Sequence, residues 1–146
     1  MNIYERLKKD HETQRDLCAK LAETEEGSSE RAELWDSLKE ELEAHALAEE
    51  QVFYSNMMKK TDGTEHARHS VHEHQQMTEM INELDAMDQN ADIWTKKFGK
   101  LSDRVIHHVD EEEADIFPVA RDVIASETAN EMTERFNERK KEAVSG

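Results

Sequence analysis

Leu34-Trp35-Asp36-Ser37-Leu38-Lys39-Glu40-Glu41-Leu42-Glu43-Ala44-His45-Ala46-Leu47-Ala48-Glu49-Glu50-Gln51-Val52 repeats at the period of a helix. Leu34, Leu38, Leu42, His45, Glu49 and Val52 follow steps of four, four, three, four and three. Such steps put all six side chains on one face. The face aimed at a core is therefore apolar for three turns and then carries a histidine and a glutamate. The order recurs farther along the chain as Leu101, Val105, His108 and Glu112, then Asp115 or Ile116. Both His-to-Glu steps are i to i+4, about 40° apart around the axis, so each pair points the same way one turn apart.

Two further segments carry one histidine each on an apolar seam. One reads Ile3, Leu7, His11, Gln14, Cys18 and Leu21; the other reads Val71, His74, Met77, Ile81 and Leu84. Punctuation falls at Glu25-Glu26-Gly27-Ser28-Ser29, at Thr61-Asp62-Gly63-Thr64 and at Asp88-Gln89-Asn90-Ala91-Asp92. The segments between predict helices over about 3–24, 30–59, 65–87 and 91–117. Short connections make successive helices antiparallel neighbours, so the expectation is an all-α, up-down-up-down four-helix bundle. Pro118 is the only proline and is expected to kink or end the fourth helix. The remainder of the chain holds Ile124, Met132 and Phe136 among charges. It predicts a short C-terminal helical extension, packed outside the bundle and frayed at its end. The domain reading is a bundle over residues 1–125 and an extension over 126–146.

Composition agrees. Four glycines and one proline in 146 residues suit a helical chain. The net charge of -16 argues against nucleic acid and anionic membrane surfaces as partners, since both need a basic face. No apolar run approaches the roughly 20 residues of a membrane span. Met1-Asn2-Ile3-Tyr4-Glu5-Arg6 lacks the apolar core of a signal peptide, and one cysteine excludes a disulfide framework within the chain. A cytoplasmic location is the expectation.

Each of the four helices thus aims a histidine inward, and two also aim a glutamate inward. An uncompensated carboxylate in a dry core costs several kcal/mol. Two of them in a small bundle make sense around a cation. Four imidazoles and two carboxylates supply six protein ligands, and the carboxylates can bridge two ions. This donor set suits iron, zinc or manganese.

These residues resemble the hemerythrin-like, or HHE cation-binding, domain family. The similarity rests on Asp10-His11, on His45-Ala46-Leu47-Ala48-Glu49-Glu50-Gln51-Val52-Phe53, on Glu73-His74, and on His108-Val109-Asp110-Glu111-Glu112-Glu113-Ala114-Asp115-Ile116-Phe117-Pro118. The resemblance implies a non-haem di-iron centre held by His11, His45, Glu49, His74, His108 and Glu112. The glutamates would bridge two iron ions beside an oxo, hydroxo or water bridge. His11 with His45 and His74 with His108 is the natural division of terminal ligands. Dioxygen, or a related diatomic or peroxide, is the implied partner of a monomer or homodimer. The functional classes implied are binding, storage or sensing of dioxygen; oxidase or peroxidase chemistry; and iron handling or sensing. One departure stands out. Oxygen carriers place a fifth histidine one turn before the residue matched by His74, and this chain has Ser70 there. That favours the four-histidine variants and leaves a coordination position open.

Other residues carry expectations of their own. Glu50 and Glu113, about 100° off the seam, read as solvated groups or as partners that orient the imidazoles. Tyr54, nine residues after His45, is predicted to face away from it. Cys18 reads as a small buried hydrophobe. Met57, Met58, Met77, Met80 and Met87 read as core filling, and Trp35 and Trp94 as caps on the bundle end. Asp110, Glu111 and Glu113 read as a solvated face. His66, His69 and His72 with His107 read as solvated histidines, with a second, surface metal site as the alternative.

Overall fold

The computed structural model describes residues 1–145 and forms a helical bundle with no strand among them. Helix α1 is Ile3–Ala22. Helix α2 is Ser29–Glu49, continued by a π-helical turn at Glu50–Tyr54 and a last α turn at Ser55–Met57. Helix α3 is Thr61–Asp85. Helix α4 is Asp92–Glu111, continued by a π-helical turn at Glu112–Ile116 and by Phe117–Val123. Helix α5 is Ser126–Ser145. No described helix is long and apolar enough to cross a membrane.

Local chemistry sets the boundaries. The Asn2 side chain accepts from the Glu5 N–H at 2.9 Å, and Ser28 Oγ accepts from the Arg31 N–H at 3.1 Å. Each satisfies one of the free donors at a helix start. The turn before α2 passes through Gly27 at φ +71, a conformation that side chains with a Cβ resist. The second break falls three residues earlier than the sequence suggests. Thr61-Asp62-Gly63-Thr64 is the first turn of α3, not a loop. A Cβ on Gly63 would lie 2.5 Å from the Met57 carbonyl, so the glycine allows the close corner.

Pro118 does not end the fourth helix. It sits in the first turn of the Phe117–Val123 continuation, where its missing N–H is tolerated. Helix α5 is also longer and more integral than its charges suggest. Met132 and Phe136 are fully buried, in the same core as Ile3, Leu7, Phe53 and Phe117. Burying each side chain stabilises by about 2–3 kcal/mol, enough to dock a helix that otherwise presents charge to solvent.

The interior has two apolar halves with a polar layer between them. One half holds Tyr4, Phe53, Phe117 and Phe136; the other holds Leu21, Leu38, Trp94 and Leu101. Trp35 and Trp94 meet edge-on at 5.4 Å and close the second half, as their positions near helix starts suggest. The buried Arg31 guanidinium ties that end together through Thr24, Gln89 and Thr95. Cys18 is buried among these side chains, as expected. Met57 and Met77 are core, whereas Met58 is 42% exposed and fills nothing.

Candidate metal centre

The polar layer is made by the seams that carry histidine and glutamate in the sequence. His11 comes from α1, His45 and Glu49 from α2, His74 from α3, and His108 with Glu112 from α4; all six are buried. The two carboxylates are fully enclosed. Each turns one oxygen to each pair of histidines. Glu49 Oε2 lies 3.4 Å from His45 Nε2, and its Oε1 lies 3.3 Å from His74 Nε2. Glu112 Oε1 lies 3.1 Å from His11 Nε2, and its Oε2 lies 3.6 Å from His108 Nε2.

The other ring nitrogen of every histidine meets a carboxylate. His11 Nδ1 donates to Glu113 at 2.6 Å, His45 to Asp10 at 2.7 Å, His74 to Glu50 at 3.0 Å and His108 to Glu73 at 2.8 Å. The four contacts form a closed ring. Each helix carries, beside its ligand-type residue, an acid that holds the histidine of another helix: α1 holds α2, α2 holds α3, α3 holds α4, and α4 holds α1. An ionised carboxylate only accepts, so each imidazole has its proton on Nδ1. The Nε2 lone pairs then converge on the middle of the layer. His74 Nε2 and His108 Nε2 face each other at 3.1 Å. Two lone pairs in that position call for a cation or a proton.

Orphaned atoms make the same demand. His11 Nε2, both oxygens of Glu49 and Glu112 Oε1 are buried without a hydrogen-bond partner. Buried polar groups in proteins are ordinarily paired, and each costs about 1–3 kcal/mol when it is not. Donor type, convergence and missing partners all fit metal ions. The groups fall into two sets: His11, His45, Glu49 and Glu112, and Glu49, His74 and His108.

Protons stand in when no ion is bound. Burial pushes the His11 imidazole down, but Glu112 and Glu113 outweigh it and hold it up at about 9. His45 is held at about 10, against its burial, by Glu49 and Asp10. His74 is held at about 9, against its burial, by Glu49 and Glu50. Glu49 is lowered in spite of its burial, chiefly by His45. Burial and the Glu49 charge push Glu112 up. The facing acids thus titrate unequally.

Several sequence expectations change here. Tyr54 does not face away. It is fully buried, and its hydroxyl donates to Glu112 Oε2. The π-helical turn at Glu50–Tyr54 inserts one extra residue, which rotates Tyr54 by about 100° back toward the layer. A matching turn begins at Glu112, so Ile116 is buried after it and Asp115 is not. Glu50 and Glu113 take the second of the two roles expected of them, as members of the ring that orients the imidazoles. Asp110, Glu111 and Glu113 are not simply a solvated face: Asp110 takes the Arg15 guanidinium at 2.8 Å, and Glu111 takes His69 at 2.9 Å. Ser70, at the fifth-histidine position, is buried with its hydroxyl unpaired.

Helix α5 supports the layer. Lys140 Nζ reaches Asp10 at 2.9 Å and Glu41 at 2.7 Å, and the Phe136 ring meets His45 edge-on at 5.6 Å. Lys140 continues the Met132 and Phe136 face at i+4, but a lysine within a charged run reads as solvated, so the sequence analysis does not single it out. A small cavity of about 20 Å³ opens beside the layer, lined by Leu42, His45, Ala46, His74, Met77 and His108 among others. It has room for a water or a diatomic molecule and little more.

Residues 2–120 match the family model described as the hemerythrin HHE cation-binding domain. The chain is similar to the crystal structure of a hemerythrin HHE cation-binding domain-containing protein of Mycobacterium kansasii, a homologue of Rv2633c. The TM-score is 0.89 at 26% identity, covering 99% of this chain and 88% of that one. It is 30% identical over 121 residues to the uncharacterized protein Rv2633c of Mycobacterium tuberculosis, covering 81% of this chain and 71% of that one. An uncharacterized hemerythrin-like protein of Schizosaccharomyces pombe is 30% identical over 103 residues, 69% of this chain and 51% of that protein. A DNA nickase of Nostoc is 25% identical over 136 residues, 93% of this chain but 38% of that protein. The chain thus spans about half and about two fifths of these last two relatives.

Proposed function

The chain belongs to the hemerythrin HHE cation-binding domain family, and on that premise we propose that it is a non-haem di-iron protein that binds or reacts with dioxygen. His11 and His45 would hold one ion and His74 and His108 the other, with Glu49 and Glu112 spanning the two. The observation that carries this reading is the disposition of the carboxylates: each fully buried acid offers one oxygen to each histidine pair. Bound iron would supply one-electron redox chemistry and an open coordination position. The chain's own residues do the rest. The acids of the ring fix the imidazole tautomers and raise their basicity. The Tyr54 hydroxyl keeps its proton, raised well above the usual range by burial and by the Glu112 and Glu49 charges, and steadies Glu112. The small cavity beside His74 and His108 suits a partner of about the size of a water or a diatomic molecule.

An oxidase or peroxidase is the second reading, and Ser70 favours it. Ser70 supplies no imidazole where oxygen carriers have a ligand, and a site with one protein ligand fewer favours reactivity over carriage. Iron quantitation with a visible spectrum in air tests the first claim. About two iron ions per chain, with absorption that chelation abolishes, is the expected result. Less than one equivalent would overturn it. A visible absorption that reverses when dioxygen is removed supports carriage. Irreversible oxidation with turnover of peroxide supports the enzyme.

A further inference from the structure

We propose that a second metal site, for a divalent ion of the zinc class, lies outside the bundle between α3 and α4, formed by His69, Glu73, Glu111 and His107. The sequence writes it in the same i,i+4 pattern as the core: His69 with Glu73, and His107 with Glu111. A pair of that kind on one helix is ordinarily a weak surface contact of about 0.2–0.5 kcal/mol. Here two pairs from neighbouring helices converge. His69 Nε2 lies 2.9 Å from Glu111 Oε1 and 3.5 Å from Glu73 Oε1, and His107 Nε2 lies 3.1 Å from Glu111 Oε2.

Three of these residues present donor atoms all within 4.8 Å of one another. Ligand atoms around a tetrahedral zinc ion, with bonds of about 2.0–2.2 Å, stand about 3.3–3.5 Å apart. The separations of 2.9, 3.1 and 3.5 Å are close to that. His107 is 69% exposed and free to swing its ring onto the same point. Two imidazoles and two carboxylates also give the charge and the mixed donors that such an ion takes.

A contrast with the other acidic cluster supports the assignment. Asp10 and Glu41 also approach each other, but the Lys140 ammonium already lies between them. Among the described residues, neither Glu73 nor Glu111 pairs with a lysine or arginine; their only ionic partners are histidines. The outer group is thus left with negative charge in a chain that carries -16 overall. His66 and His72 contribute no donor to the group. Glu73 belongs to both places, since its Oε1 also accepts from His108 Nδ1.

The test is equilibrium dialysis of the protein as purified, with its resident metal counted first, against Zn²⁺ at neutral pH. The wild type should take up one further equivalent without losing the resident metal, and the His69→Ala/His107→Ala double variant should lose that equivalent. The comparison is a difference between two proteins, so it reads the outer site whatever the inner pair holds. No uptake by the wild type, uptake matched by loss of resident metal, or equal uptake by the double variant would each overturn the site. If the double variant folds poorly, Glu111→Gln serves in its place. Retained melting behaviour with the extra equivalent gone supports the site; an unchanged equivalent overturns it.

Discussion

The inner layer and the outer cluster use one sequence pattern in two settings. His45 with Glu49 and His108 with Glu112 stand inside; His69 with Glu73 and His107 with Glu111 make the outer cluster, with the buried Glu73 shared between the two. Inside, Glu49 and Glu112 are fully buried, and every Nδ1 has its own acid. Outside, the histidines are 51% and 69% exposed, and one glutamate serves both. The same residues therefore mean different things. In the core, an unmatched charge costs enough to require an ion or protons. At the surface, water solvates the charge, so any ion there binds by choice and not by necessity.

The largest break in the comparison should come from the acids. Glu49→Ala or Glu112→Ala removes a carboxylate that faces both histidine pairs, and both of the iron ions proposed for the site should be lost. Breaking a buried charge pair costs about 3–5 kcal/mol, read as a fall in melting temperature alongside the metal count. Should Glu112→Ala keep two irons and an unchanged spectrum, its spanning role is wrong. His69→Ala/His107→Ala should leave the resident iron untouched.

pH should separate the regions next. In chelator-stripped protein His11, His45 and His74 titrate at about 9, 10 and 9, against about 6.5 unfolded. Groups raised on folding stabilise fully below the unfolded value and lose that contribution as pH rises through the folded one. Metal-free protein should therefore melt at progressively lower temperature between about pH 6.5 and pH 10. Glu113, lowered to about 2 by His11 and Arg15 in spite of its burial, works the other way: its contribution is present above about pH 4 and lost as pH falls through about 2. In loaded protein the ions replace the imidazole protons, and the alkaline decline should flatten. A decline of equal size with and without metal would detach the histidines from the ions.

A smaller effect is expected from the ring. Asp10→Asn or Glu50→Gln should weaken metal affinity about 10–100-fold while the fold persists, measured by competition with a chelator. Tyr54→Phe leaves Glu112 short of a donor and should cost about 1–3 kcal/mol, with a shifted visible spectrum. The smallest effect belongs to His69→Ala, within about 0.5 kcal/mol of wild type in a thermal melt.

The period of the Leu34–Val52 seam, and its echo at Leu101–Glu112, was enough for a bundle and for the six residues its interior would gather. Apolar spacing and the cost of buried charge are local properties of a helix face, so they can be read one helix at a time. The reading failed where a helix departs from its regular period. The π-helical turns after Glu49 and at Glu112 insert a residue each, and only that brings Tyr54 inward. It also left out the acids that come from a neighbouring helix, Glu73 at His108 and Glu111 at His69.

The sequence alone therefore determined the helical class, the inward histidines and the two inward acids, because a helix repeats every 3.6 residues and hydrophobic burial selects one side of it. Tertiary structure alone decided which acid holds which imidazole, that Lys140 of α5 braces Asp10, and that His69 and His107 meet at Glu111. Those are contacts between faces of different helices. Their alignment depends on how far each helix is rotated and displaced against its neighbour, and packing of the whole core sets that.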